Sequence, residues 1–476
     1  MDTVARALEE LPSAIVTTDQ DIVATYTTDF RRQLTGASRA LLRPRTTADV
    51  QRIVTVCGHH GVPLVPQGGN TGYCTAATPG IGNDELIVSL ERMTAVRELD
   101  AANLSITADA GAILSDLQDR AADADLLLPL SLGSERSCRI GGNLSTNAGG
   151  IAVLRYGMAR DLLLGLEVVL PDATVFHGLS PLRKNNAGYD VKQLFVGAEG
   201  TLGIITAASL KLVRKPQQTV TALLALADIA NLATLLGRAQ GYTGEAVTSF
   251  EYISDASLQL LLAAKPQLRH PLSAPSPHYV LLEAATASPV LNLDATVLAL
   301  LGVLFDEGLV TDGVIAASNK QGDDFWQLRE EIPEAEVHHG GSVKHDVSVR
   351  VSRLSDFIAQ ASEIVAQGAK EARLSVYGHV GDGNVHFNIL PPAGVKAAPY
   401  KAWIEQEISP RIYDLAAAME GSFSAEYGIG RTKLPLLERY GDPAKLRLMT
   451  ALKRALDPQG LMNPGKVVPQ GRPDER

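Results

Sequence analysis

The sequence contains little cysteine, few aromatic residues and no excess of positive charge. Its three cysteines, Cys57, Cys74 and Cys138, are too few for a disulfide framework and lack the spacing of a metal-binding motif. Lysine and arginine total 43 against 53 acidic residues, which gives a net charge of −10. This charge excludes a global basic field that would attract nucleic acid or an anionic membrane.

Long apolar runs are also missing. The longest, residues 295–305, is bounded by Asp294 and Asp306 and is too short to span a bilayer. The N-terminal residues show neither the apolar core nor the cleavage site of a signal peptide. We therefore predict no membrane span, no nucleic-acid partner and a cytoplasmic location.

Glycine, in contrast, is concentrated in three segments. The first, "QGGNTG" at 67–72, follows a predicted helix that begins at Thr46, with Asp49 in a capping box, and ends at Gly61; the strand "VPLVP" comes next. The others are residues 131–157 and 194–206. Because glycine costs conformational entropy, such segments favour close backbone approach to a large ligand, with turns between strands as the alternative.

The segment "YGHVGDGNVHFN", residues 377–388, has a histidine on each side of a turn signal. Asp-Gly is typical of a two-residue type I′ hairpin turn, which would place His379 directly opposite His386. Asn388 would then share their face of the sheet, because side chains alternate along a strand. This spacing suits two imidazoles that bind one metal ion, and an aromatic cross-strand pair remains the alternative.

These segments together resemble the vanillyl-alcohol oxidase / PCMH flavoprotein family, in its branch of D-2-hydroxyacid dehydrogenases. "SAEYGIG" and "DPQGLMNPGK" near the C-terminus carry further resemblance, which covers about residues 40–468. It implies an α+β protein with a two-subdomain PCMH-type FAD-binding domain at 1–218 and a substrate-binding α+β domain with an antiparallel sheet at 219–420. A C-terminal segment, 421–476, returns to the flavin.

The resemblance also implies non-covalent FAD. Some relatives attach the flavin through a histidine in the first loop, where this chain has Asn70. The residues expected to contact FAD are Gln67, Gly68, Gly69, Asn70, Thr71, Gly72, Gly133, Ser137, Gly142, Asn143, Thr146, Ile205 and Asn463.

Relatives hold a divalent metal, usually zinc, with two histidines and a glutamate that correspond to His379, His386 and Glu426. Such a set leaves an open coordination position for a substrate. The metal would bind the carboxylate and hydroxyl of a 2-hydroxyacid and lower the hydroxyl pKa. Hydride would then pass to flavin N5, giving the 2-oxoacid.

Substrate contacts of the family fall on Arg329, Lys344 and Asn388. A D-2-hydroxy dicarboxylate such as D-2-hydroxyglutarate is the expected substrate, and a D-lactate or glycolate type is the alternative. Relatives with a hydroxyglutarate substrate have a threonine where this chain has Pro333, which leaves the contact to the far end of the substrate open.

Tyr427 replaces the histidine of the family motif "SAEHGIG" and is the candidate catalytic base. A phenol has a reference pKa of about 10 against about 6.5 for imidazole, so weakened or lost turnover is a second alternative. An oxidase of sugars or aldonolactones on the same fold is a third, which the histidine pair disfavours. An electron-transferring flavoprotein or a quinone-linked acceptor is the expected partner, and a homodimer stays open.

Overall fold

The computed structural model describes residues 2–469. The helices are α1 Thr3–Glu10, α2 Gln20–Ala24, α3 Thr47–His60, α4 Leu114–Ala122, α5 Ile140–Thr146, α6 Val153–Tyr156, α7 Ala159–Leu162, α8 Leu232–Thr243, α9 Asp255–Ala264, α10 Leu293–Asp306, α11 Asn319–Glu330, α12 Ile332–His338, α13 Leu354–Gly368, α14 Ala397–Glu407, α15 Ser409–Ala418, α16 Leu434–Tyr440 and α17 Pro443–Leu456. The strands are β1 Val16–Thr17, β2 Leu41–Leu42, β3 Leu64–Gln67, β4 Leu86–Ser89, β5 Val96–Asp100, β6 Ser105–Asp109, β7 Leu126–Leu127, β8 Leu163–Val169, β9 Val175–Gly178, β10 Ile204–Lys211, β11 Val213–Arg214, β12 Gln218–Leu226, β13 Val247–Ser254, β14 His278–Thr286, β15 Asp312–Ile315, β16 Val343–Ser348, β17 Arg373–His379 and β18 Asn384–Leu390.

The described chain divides into two compact units. The first unit contains the chain up to Gly150, Gly157–Lys215 and the chain from Glu426 onward; the second contains Ile151–Tyr156 and Pro216–Ala425. The predicted domain boundaries at 218/219 and 420/421 stay predictions. Residue 1 and residues 470–476, which belong to the predicted first domain and last segment, lie outside the described residues.

The first unit is built on two main sheets. One has the order β1-β2-β4-β3, with β2, β4 and β3 parallel, and the other is antiparallel in the order β5-β6-β10-β8-β9. Strands β7 and β11 form a separate pair. The two sheets correspond to the two subdomains that the resemblance implies.

Helix α3 confirms the prediction made from capping signals. The Thr46 hydroxyl accepts the Asp49 backbone N–H, and the Asp49 carboxylate accepts the Thr46 N–H, both at 3.1 Å. Gly61 ends the helix in the left-handed region at φ 64°. Strand β3 follows and leads directly into the first glycine-rich loop, so local sequence signals determine where this loop begins.

The second unit is a seven-stranded antiparallel sheet in the order β15-β12-β14-β13-β17-β18-β16. Both faces are covered: α8, α10 and α13 pack on one, and α9, α11 and α12 on the other. Strand β12 shows the alternation, since Leu224 faces the first group and Leu223 the second. This antiparallel sheet with its helices confirms the predicted α+β class.

Among residues 2–469, no helix is both long and apolar enough to cross a bilayer.

Candidate functional site

Two adjoining cavities in the first unit bring the three glycine-rich segments together. Ten of the thirteen residues predicted to bind the cofactor line one or both of them: Gln67, Gly68, Gly69, Asn70, Thr71, Gly72, Gly142, Asn143, Thr146 and Ile205. Asn463 is buried and donates from its side-chain amide to the carbonyl of Glu199, which lines both cavities, at 2.7 Å. Gly133 lies outside both linings.

Glycine is required where the first two segments meet. A Cβ added to Gly69 would lie 2.1 Å from the carbonyl oxygen of Ser137, a separation that no side chain tolerates. Ser137 thus contacts the lining without forming part of it. A Cβ on Gly68 would lie 3.4 Å from the Cα of Gly142, so two stretches of backbone form this wall of the cavity.

Glu199 connects the third glycine segment to the loop that follows Tyr427. Its carboxylate accepts the backbone N–H groups of Ile429 at 2.7 Å and Gly430 at 3.0 Å. Burial raises the pKa of Glu199 to about 7 against the lowering effect of these two N–H donors. A Cβ on Gly428 would lie 2.5 Å from the same carboxylate, which explains the first glycine of "GIG".

Tyr427, the candidate base, lines the cavity formed by residues 68–72. Its ring lies 4.5 Å from that of Tyr73 between centroids, and the Lys433 ammonium lies 5.7 Å from its centroid. Tyr427 therefore lies at the predicted cofactor cavity of the first unit.

The hairpin of the two histidines differs from the predicted register. Tyr377, not His379, lies directly opposite His386, and Ser375 lies opposite Asn388. The predicted type I′ turn is wrong because it needs positive φ at both Asp382 and Gly383, and only Gly383 has it, at 77°. A 3-10 turn, Val380–Asp382, lengthens the connection.

The register shift of two residues leaves both histidines on one face, as predicted. Their ring centroids are 5.5 Å apart across the diagonal of the hairpin. Since the side-chain period in a strand is two, the shared face survives a shift of two and would have been lost with a shift of one.

Glu426 joins the two histidines. Residues before it run along β16, where Ser422 exchanges backbone hydrogen bonds with Ser348 and the Ala425 N–H donates to the Asp346 carbonyl. Glu426 is the next residue, and one ligand atom each from His379, His386 and Glu426 lies within 4.8 Å of the others.

These three side chains fit one divalent ion. Nitrogen and oxygen ligands bind zinc at about 2.0–2.2 Å, so donors that share an ion lie at most about 4.4 Å apart. The three candidate donors lie within 4.8 Å of one another, which is close to this limit. Two imidazoles and one carboxylate are also the ligand set of a zinc site that keeps an open position.

Arg329 is buried on α11 rather than exposed. Its Nε donates to the Oε2 atom of Glu251 at 2.9 Å, and its guanidinium carbon lies 4.6 Å from the centroid of the Tyr377 ring. The Oε1 atom of Glu251 lies 2.6 Å from Nδ1 of His379. Burial acts to raise the pKa of the Glu251 carboxyl, but His379 and Arg329 outweigh it and hold the pKa below its usual value.

Lys344 and Asn388 share a second buried carboxylate, that of Glu336 on α12. The Lys344 ammonium donates to Oε2 of Glu336 at 2.8 Å, and the Asn388 amide donates to Oε1 at 2.8 Å. The Ser342 hydroxyl also donates to Oε2, at 2.7 Å. The structure thus joins these two predicted substrate contacts through one side chain.

Sequence reasoning missed Glu199, Glu251, Glu336 and Lys466. Lys466 is buried beside Asn463, to whose Oδ1 atom it donates at 2.6 Å, and burial lowers its pKa to about 7. A charged residue within an apolar or glycine-rich run was the available signal, as in "SFEYIS", "VGAEG" and "NPGK". Such a residue needs a buried partner.

Comparisons with known proteins agree with this architecture. The FAD binding domain family matches residues 38–178, and the family described as FAD linked oxidases, C-terminal domain, matches residues 215–467. The chain is 38% identical over 467 residues to mitochondrial D-2-hydroxyglutarate dehydrogenase of Bos taurus, covering 97% of this chain and 83% of that protein. It is 34% identical to D-2-hydroxyglutarate dehydrogenase of Stutzerimonas stutzeri, covering 95% and 96% of the two chains.

Among solved structures, p-cresol methylhydroxylase has the same fold, with a TM-score of 0.76 at 17% identity, covering 98% of this chain and 96% of that one. Fold and family matches together define an FAD-binding oxidoreductase. The chain belongs to the FAD-linked oxidase family, in its branch of D-2-hydroxyacid dehydrogenases. The family, the fold class, the FAD cofactor and the enzyme class predicted from the sequence are confirmed.

The flavin is expected to leave the protein on acid denaturation. Asn70 offers no nucleophile for a flavin bond, and its side-chain amide donates to the carbonyl of Thr28 at 2.8 Å. Acid precipitation followed by absorbance spectra of supernatant and pellet measures this directly. Yellow colour that stays with the washed pellet would contradict it.

Proposed function

We propose that the protein oxidises a D-2-hydroxyacid to the 2-oxoacid, with D-2-hydroxyglutarate or a similar D-2-hydroxy dicarboxylate as substrate. The observation that carries the proposal is the cluster of His379, His386 and Glu426 in a chain similar to D-2-hydroxyglutarate dehydrogenases over nearly its whole length. A D-lactate or glycolate type of dehydrogenase remains the alternative within the family.

In this proposal, FAD supplies the hydride acceptor at N5 and is held by the residues that line the two cavities of the first unit. A divalent ion, with zinc as the best candidate, would be held by His379, His386 and Glu426 and would supply the positive charge that lowers the pKa of the substrate hydroxyl. Tyr427, in its phenolate form, accepts a hydrogen bond from this hydroxyl and takes its proton, which returns the side chain to the phenol.

Arg329, Lys344 and Asn388 are proposed to bind the substrate's second carboxylate. Within the described residues, the two terminal nitrogens of Arg329 have no hydrogen-bond partner, and only Nε is engaged. A guanidinium fixed by Nε presents a planar pair of donors that matches a carboxylate. Lys344 and Asn388 are oriented by their hydrogen bonds to the Glu336 carboxylate.

Flavin bleaching tests the proposed reaction. Anaerobic protein is mixed with D- and L-2-hydroxyglutarate, D-lactate and glycolate, and flavin absorbance is followed. Rapid loss of absorbance with D-2-hydroxyglutarate alone supports the proposal. Bleaching by D-lactate at an equal or higher rate favours the alternative, and no bleaching by any acid favours a flavoprotein that has lost turnover.

Replacing Arg329 with alanine is expected to raise KM for D-2-hydroxyglutarate about 10–100-fold, since a hydrogen bond to a charged group contributes about 1.5–3 kcal/mol. KM for D-lactate should change less, because lactate lacks the second carboxylate. The matched control is Arg350→Ala, which removes an exposed ion pair with Glu420. Equal increases for both acids would show that Arg329 does not bind the far carboxylate.

The electron acceptor is proposed to be an electron-transferring flavoprotein or a quinone-linked partner. The cytoplasmic location and the homodimer stay predictions.

A further inference from the structure

Glu251 is a charged residue at the centre of a buried strand. It lies in β13 between Phe250 and Tyr252, and its side chain is 1% exposed. A carboxylate removed from water to this degree needs charged or hydrogen-bonding partners for each oxygen. Glu251 has one for each: His379 on Oε1 and Arg329 on Oε2.

The contact with His379 determines which ring nitrogen can bind a metal. Glu251 and His379 are direct cross-strand neighbours on β13 and β17, so the backbone ladder fixes their separation. A carboxylate 2.6 Å from Nδ1 requires the proton on that nitrogen. The lone pair then belongs to Nε2, which leaves this atom as the metal-binding nitrogen of the ring.

The contact with Arg329 fixes the plane of the guanidinium. Nε is held at 2.9 Å from Oε2 of Glu251, while the Tyr377 ring packs against the guanidinium. The positions of the two terminal nitrogens follow from these two contacts. The same carboxylate therefore orients a proposed metal ligand and a proposed substrate-binding arginine.

We propose that Glu251 is a positioning residue that sets both the metal affinity of the histidine cluster and the recognition of the substrate's second carboxylate. The inference rests on the proposed function, because it assigns Glu251 to the metal and substrate groups named there. Glu251 is an addition to the residues named there, and its carboxylate positions His379 and Arg329.

Zinc affinity gives the first test, and it needs no turnover. Yellow, metal-stripped protein is dialysed against buffered zinc concentrations, and bound zinc is measured by elemental analysis. Glu251→Gln offers one acceptor for two donors, so zinc affinity is expected to fall about 10–100-fold, the usual effect of losing such an outer partner. Glu251→Asp keeps the charge but is too short to reach both donors, and an intermediate loss is expected.

The matched control is Glu283→Gln. Glu283 is a neighbouring strand carboxylate on β14 whose oxygen accepts the Trp326 indole N–H at 2.7 Å, and burial raises the pKa of its carboxyl. Its removal perturbs the same sheet without touching the cluster, so zinc affinity should stay at the wild-type value. Only variants that keep the wild-type ratio of flavin to protein are compared, which separates positioning from misfolding.

Kinetics at saturating zinc give the second test. Excess zinc restores metal occupancy in Glu251→Gln but does not realign Arg329, so KM for D-2-hydroxyglutarate should stay raised while KM for D-lactate returns toward the wild-type value. Unchanged zinc affinity in both Glu251 variants would overturn the proposal. Failure of the wild-type protein to bind zinc would instead overturn the proposed metal centre. This result can be distinguished from unchanged zinc affinity in the Glu251 variants.

Discussion

Replacing His386 with alanine is expected to lower kcat about 10³-fold and to leave the protein yellow. The histidine supplies one of the three candidate ligand atoms of the proposed metal centre, which lie within 4.8 Å of one another, so its loss is expected to remove the proposed ion. A metal contributes several kcal/mol of stabilisation to a developing negative charge, and about 4 kcal/mol corresponds to this factor. The cofactor cavities are lined by residues of the first unit and should keep FAD.

Chelation should reproduce the effect in the wild-type protein. Stripping the proposed metal is expected to abolish turnover while flavin absorbance stays, and added zinc, cobalt or manganese is expected to restore activity. The control is His338→Ala, which removes an exposed histidine of α12 and should have wild-type activity. Full activity in protein shown by elemental analysis to be metal-free would return the histidine pair to a purely structural role.

Replacing Tyr427 with phenylalanine is expected to lower kcat about 10²–10⁴-fold, the usual contribution of a general base. The ring would keep its packing against Tyr73, so the change isolates the hydroxyl. Tyr427→His, which restores the residue of the family motif, should raise kcat at neutral pH because an imidazole is largely in its basic form there and a phenol is almost wholly protonated. Steady-state kinetics of both variants at pH 7 provide the measurement.

Tyr73→Phe is the control for this position, since it removes a hydroxyl from the adjacent ring. Its activity should remain near that of the wild type. A Tyr427→Phe variant as active as the wild type would show that the hydroxyl proton leaves without this side chain. A Tyr427→His variant without any gain would show that the surrounding pocket is adapted to tyrosine.

Local signals explain what could be predicted. Helix α3 begins and ends at residues whose hydrogen bonds reach only three or four positions along the chain. Both ends of this helix can therefore be predicted from the local sequence. The glycine segments were recognisable because close backbone approach excludes side chains, as between Gly69 and Ser137. The shared face of His379 and His386 also follows from local periodicity alone.

Long-range contacts account for the features that could not be predicted from the sequence. The hairpin register depends on Gly383, whose carbonyl accepts the Val349 N–H from a different strand region. Glu251 and His379 are 128 residues apart along the chain, and Glu336 and Asn388 are 52 residues apart. The order of the strands in the sheet determines which of these distant residues come into contact. A single sequence contains no spacing motif from which that strand order can be predicted.

The short segment 426–430 limits where chimeras between related enzymes can be joined. It contains a proposed metal ligand, the candidate base and the two N–H groups that Glu199 holds, within five consecutive residues. A fragment cut after Ala425, where the second compact unit ends, keeps both histidines and loses the carboxylate. Chimeras meant to transfer substrate preference should therefore place their crossover beyond Gly430, so that the transferred piece includes segment 426–430.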